Sequence, residues 1–126
     1  MSGSLKDKSE KCWRLAEKLR ESGDFNNCAS RMYYAVFQAV KEYAVQKKQY
    51  VPKDDPAERG VVHGDMRRIV RDEFHADHHY ETYEYMRILR NAADYDPNDV
   101  LPNEIDRDVV YQLQIIKDYF LKGSIK

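Results

Sequence analysis

The chain has 126 residues, 42% hydrophobic and 34% charged, with 21 Lys+Arg against 22 Asp+Glu and a formal net charge of −1. That length supports one domain with one core, and the balanced charge excludes a globally basic surface while a local basic patch stays possible. No apolar run approaches the ~20 residues that a membrane span needs, and the polar start MSGSLKDKSE lacks the apolar stretch of a secretory leader, so a cytoplasmic protein with no membrane association is expected.

Leu5, Cys12, Ala16 and Leu19 recur at helical spacing, with Trp13 and Leu15 widening the stripe, and predict a first helix over about Leu5 to Glu21. Ser22-Gly23 should stop it, and Asp24 is a suitable N-cap for the next helix. A second helix, about Phe25 to Gln46, carries Met32, Tyr33, Val36, Phe37, Val40, Tyr43 and Ala44 on one broad face. The segment 47–60, with Pro52, Pro56 and Gly60, reads as a loop. A short third helix over about Val61 to Phe74 precedes the polar break HADHH. The fourth runs from about Tyr80 to Ala93 or Tyr95, before Pro97. The fifth, about Glu104 to Leu121, aligns Ile105, Val109, Leu113, Ile116 and Phe120. The expected architecture is therefore all-α: an antiparallel up-and-down bundle of four to five helices, one domain over 1–126 with its core at about 5–122.

The faces outside these stripes are unusual. Opposite the apolar arc of the second helix lie Arg31, Tyr34, Ala35, Gln38 and Glu42. A solvent face would be Lys and Glu, so something is expected to dock here. Another helix of the bundle or a second copy outweighs a ligand. On the fourth helix Tyr85, Met86, Leu89, Ala92 and Ala93 form the apolar side, and Tyr83, Arg87, Arg90 and Asp94 an adjoining flank. An Arg90–Asp94 ion pair at i,i+4 is the ordinary reading of that flank. Two arginines with interleaved tyrosine also suit an anion or phosphate site, because guanidinium forks onto phosphate.

The ten tyrosines suggest half-buried positions needing one polar partner each. Cys12 and Cys28 lack metal-ligand spacing and read as reduced thiols. His75, Asp77, His78 and His79 cluster in sequence, and His75 with His79 could share a helix face, but no fourth ligand is specified. No metal and no cofactor are expected. His63, beside Gly64, reads as a capping or packing residue.

Three segments in order, GDFNNCASRMYYAVFQAV (Gly23 to Val40), HGDM (His63 to Met66) and YEYMRILRNAADYD (Tyr83 to Asp96), together resemble the HEPN domain family. The likeness is to its small stand-alone branch with a Ser-Arg-x-Tyr-Tyr-Ala-x-Phe segment, here Ser30, Arg31, Tyr33, Tyr34, Ala35 and Phe37, and a late Arg-x-x-Ala-Asp-Tyr, here Arg90, Ala93, Asp94 and Tyr95. It spans about Leu15 to Leu121. The resemblance implies an up-and-down helical bundle, often a homodimer, and three kinds of role: ribonuclease, toxin paired with a minimal nucleotidyltransferase, or non-catalytic RNA- or nucleotide-binding module.

The ribonucleases of that family carry Arg, a polar residue, and then His a few positions on. Arg90-Asn91 matches the start, but Tyr95, Asp96 and Pro97 stand where histidine would be. Cleavage through a 2′-OH benefits from a group that exchanges a proton near neutral pH, and tyrosine with a reference pKa near ~10 is a poor substitute. Arg68 to His75 and Arg71 to His78 repeat the spacing, but ahead of the helix that carries the motif.

The resemblance thus implies a non-catalytic or weakly catalytic module. It would bind nucleotide, RNA phosphate or a partner nucleotidyltransferase through Arg31, Tyr34, Arg87, Arg90, Asp94 and Tyr95. The alternative is a metal-independent ribonuclease toxin using Arg90 with Tyr95 or His63. Tyr95 would also be a candidate for nucleotidylation by such a partner, although it fills the histidine's slot rather than the position after it.

Overall fold

A computed structural model describes residues 5–51, 56–75, 77–95 and 99–124, with nothing said of the side chains of Pro56, Tyr95 and Ser124. Its helices are α1 (Leu5–Glu21), α2 (Phe25–Lys47), α3 (Arg59–Glu73), α4 (His78–Tyr95) and α5 (Arg107–Ser124). Short 3₁₀ turns, Pro56–Glu58 and Pro102–Ile105, precede α3 and α5. The all-α expectation holds. Among the described residues no helix is long and apolar enough to cross a membrane.

The α1–α2 corner follows the sequence closely. Gly23 takes a left-handed φ of 85°, which glycine adopts without steric cost. That lets Gly23 N–H donate to the Arg20 carbonyl (3.1 Å) and Asp24 N–H to the Leu19 carbonyl (2.9 Å). The Asp24 carboxylate then accepts from Asn27 N–H, capping α2.

α2 is the axis of the bundle and packs against all four other helices, most extensively α1 and α5. Its buried residues run around its circumference: Cys28, Ala29, Met32, Tyr33, Ala35, Val36, Phe37, Ala39, Val40 and Ala44. This corrects the two-faced reading, because Ala35 is fully buried under α1. Its carbonyl accepts from the buried Ser9 hydroxyl at 2.6 Å. The ordinary reading of that face, another helix of the same bundle, is the right one there. On α1, Trp13 and Ala16 are buried, while Leu15 is exposed. Lys117 of α5 closes the α1–α5 seam: its ammonium is buried, meets Glu10 at 3.0 Å and Asp118 at 2.9 Å, and lies 5.5 Å from the Trp13 ring.

α3 starts at Arg59, inside the expected loop 47–60, and α5 extends to Ser124, while the starts of α4 and α5 shift through capping aspartates. The Asp77 carboxylate accepts from His79 N–H (2.9 Å) and Tyr80 N–H (3.4 Å), and so draws His78 and His79 out of the expected polar break into α4. The Asp106 carboxylate accepts from Val109 N–H (3.0 Å) and starts α5 at Arg107. Glu104 and Ile105 belong to the preceding 3₁₀ turn, where Leu101 N–H donates to the Glu104 carboxylate at 2.8 Å. Arg20 fixes that turn to α1 by donating to the Ile105 carbonyl at 2.8 Å.

On α4 the two tyrosines exchange roles. Tyr83, with Met86 and Leu89, is buried. Tyr85 is exposed, and its hydroxyl donates to the Glu104 carbonyl at 2.8 Å. Cys12 and Cys28 are free thiols, and burial raises the Cys28 pKa to about 11, leaving it protonated and unreactive.

Candidate functional site

Helices α2, α3 and α4 border a cavity of about 300 Å³. α2 contributes Tyr33. α3 contributes Gly60, His63, Gly64 and Arg67, and α4 contributes Arg87, Arg90 and Asn91. The helical period explains the set, since 60, 63, 64 and 67 share one face of α3, and 87, 90 and 91 one face of α4.

Arg90 is the best-held of the three arginines. Its Nη2 donates to the Tyr34 hydroxyl at 2.5 Å, and its Nη1 to the Asn91 side-chain oxygen at 3.0 Å. Its Nε lies 3.2 Å from the Asp94 carboxylate, which is the expected i,i+4 pair. The guanidinium also sits 5.0 Å from the Tyr34 ring centroid and 5.9 Å from that of Tyr33. Arg87 and Arg67 share one carboxylate, Glu84, at 3.1 Å and 3.0 Å. Arg67 also donates to the Tyr80 hydroxyl at 3.3 Å.

His63 is not at the helix end but inside α3, packed into the aromatic cluster of α2. Its ring stacks on Phe37 (centroids 4.3 Å, planes at 24°), and its Nδ1 is 2.7 Å from the Tyr33 hydroxyl. The packing expectation is therefore right, and the ring lines the cavity as well. Burial lowers the His63 pKa, and Arg90, Arg87 and Lys41 lower it further. The folded protein thus holds a neutral imidazole while the unfolded chain protonates near its usual ~6.5. Between those two pKa values the unfolded state binds more protons. The stability that neutral His63 contributes is complete above pH ~6.5 and is lost as pH falls through the folded value. Thermal melts of wild type and His63→Gln should differ in this way: the wild type loses stability more steeply on acidification below pH ~6.5, and parallel curves would refute the assignment.

The structure brings Tyr34, Arg87, Arg90, Asp94 and His63 together. It does not bring Arg31 in: that side chain is exposed and absent from the cavity lining. The Tyr95 side chain, Asp96 and Pro97 lie outside the described residues. Sequence reasoning missed Tyr33 as more than core, along with Arg67, Glu84 and the glycines. Gly60 and Gly64 carried the usable signal, because two glycines at i,i+4 weaken a helix by about 0.5–1 kcal/mol each. A Cβ at Gly64 would meet no heavy atom within 4 Å, so open space lies above this stretch of backbone. Gly64→Ala should therefore raise stability by about 0.5–1 kcal/mol while weakening anion binding in the cavity. Chemical denaturation beside a phosphate titration reads both; lowered stability would show that the glycine serves packing.

Two other places hold candidate chemistry. Ligand atoms of Asp77, His78 and His79 lie within 4.8 Å of one another, with His75 outside the group and one Asp77 oxygen engaged in capping α4. A broader depression of about 520 Å³ lies where α2 and α5 end, lined by Tyr43, Lys47, Tyr119, Lys122 and Gly123. The Tyr119 hydroxyl there donates to Glu73 at 2.6 Å, which pushes its pKa up to about 12.

A family model described as HEPN domain matches residues 3–117. No curated protein and no solved structure matches the chain.

Proposed function

Because the chain belongs to the HEPN domain family, we propose that it is a non-catalytic or weakly catalytic HEPN module whose α2–α3–α4 cavity binds the phosphate of a nucleotide or RNA. The convergence of Arg67, Arg87 and Arg90 on one cavity carries the reading. Guanidinium groups fit phosphate geometry and keep their charge at any physiological pH. Tyr34 and Asp94 hold Arg90 in place for that task. The same basic surface suits docking of a partner nucleotidyltransferase in a toxin–antitoxin-like pair, and a homodimer with this cavity near the contact belongs to the same reading.

One observation favours the enzyme alternative: His63 shares the cavity with Arg90 although no histidine follows Arg90 in the motif. Incubating labelled RNA with wild type and Arg90→Ala, with and without EDTA, separates the two. The binding-module reading expects intact RNA throughout. Cleavage by wild type alone, unaffected by EDTA, would establish a metal-independent ribonuclease instead.

A further inference from the structure

Besides the Tyr33 hydroxyl, the cavity contains two side chains that could either donate or accept a hydrogen bond, His63 and Asn91. Their surroundings settle both. Arg90 can only donate, so the Asn91 atom 3.0 Å from its Nη1 is the carbonyl oxygen, and the amide N–H groups are what Asn91 has left to offer.

His63 is settled through Tyr33. The Tyr33 hydroxyl is buried, and burial raises its pKa, so it keeps its proton. A buried hydroxyl that keeps its proton must point it at an acceptor, and the His63 Nδ1 lies 2.7 Å away. A neutral imidazole accepting at Nδ1 carries its hydrogen on Nε2.

We propose that the Tyr33 hydroxyl fixes His63 as an Nε2–H donor, adding an imidazole N–H to the cavity's guanidinium and amide donors and selecting phosphomonoester dianions over phosphodiesters. This rests on the anion-binding reading above. Three guanidinium groups, an imidazole N–H and an amide match a ligand with acceptors alone. A monoester dianion presents three terminal oxygens and two charges, and a diester presents two oxygens and one charge. The difference matters because Glu84 already occupies Arg67 and Arg87, and an incoming anion competes with that carboxylate. Tyr33 is in this sense a positioning residue, acting through the His63 ring. A free nucleotide and a phosphorylated RNA end share the required chemistry.

The tautomer is read directly from long-range ¹H–¹⁵N correlations of the His63 ring at a pH where it is neutral. Wild type should show Nε2–H, and Tyr33→Phe, which keeps the packed ring, should show a mixture or the Nδ1–H form. Observing Nδ1–H in wild type overturns the proposal whatever the protein binds. Methyl phosphate should bind wild type at least tenfold more tightly than dimethyl phosphate, and Tyr33→Phe should narrow that ratio. Equal affinities overturn the selectivity. If the tautomer is Nε2–H and methyl phosphate does not bind, the anion-site reading itself has failed. Titrations with AMP and with a 5′-phosphorylated dinucleotide, each beside its 5′-hydroxyl counterpart, then tell a free nucleotide from a strand end.

Discussion

Phe120→Ala is expected to destabilise the protein by about 3–5 kcal/mol, enough to unfold a domain of marginal stability. Phe120 is completely buried on α5. Its ring meets Tyr43 of α2 at 5.1 Å and the adjacent Tyr119 at 5.1 Å, and reaches Phe74 beyond the end of α3 at 5.8 Å. Truncation removes apolar burial and leaves a cavity that three other rings cannot all collapse into. Urea denaturation followed by circular dichroism provides the check. A loss under about 1.5 kcal/mol, the range of a surface or volume-conserving change, would mean that α5 does not close the core as described.

Arg90→Ala is expected to weaken phosphate or nucleotide binding about tenfold to a hundredfold, the range for losing a charge-assisted hydrogen bond. Its stability should fall by about 1 kcal/mol or less. Asp94, one-third exposed, can rehydrate once its partner is gone. Tyr34 loses the Arg90 donor but keeps its ring packed edge-on to Tyr33 and Phe37. Arg31→Ala is the matched control, since that exposed side chain lies outside the cavity lining. Equal losses for both variants would transfer the site to the outer surface of α2.

The two arginines also show how far the sequence reaches. Arg90–Asp94 was readable because i,i+4 pairing is a local property of one helix. Arg87 with Glu84 is equally local, but Glu84 was hidden by its second partner, Arg67, which comes from another helix. The boundaries of α1 and the Asp24 cap were likewise local and legible. The starts of α4 and α5 were local too, but Asp77 was read as part of a polar break and Asp106 as a residue inside the fifth helix, neither as a cap.

What failed was the assignment of faces. A helix packed against four others buries residues around most of its circumference, so a polar residue on α2 can mark a seam between neighbours as well as an outer surface. Ala35 is buried, Tyr34 reaches Arg90, and Arg31 points outward, although all three lay in one arc of the sequence pattern. The Tyr33–His63 contact joins positions on different helices, and nothing in the spacing of either helix announces it. Gly60 and Gly64 could have been noticed as a helical pair had α3 been started at Arg59 instead of after a loop ending at Gly60.

The location of the anion site is the central claim, and backbone amide chemical shifts during an AMP titration test it most directly. The account expects perturbations concentrated at residues 60–67 of α3 and 87–91 of α4, reduced in Arg90→Ala. Perturbations concentrated instead around Tyr43, Tyr119 and Lys122, or none at millimolar AMP, would contradict it.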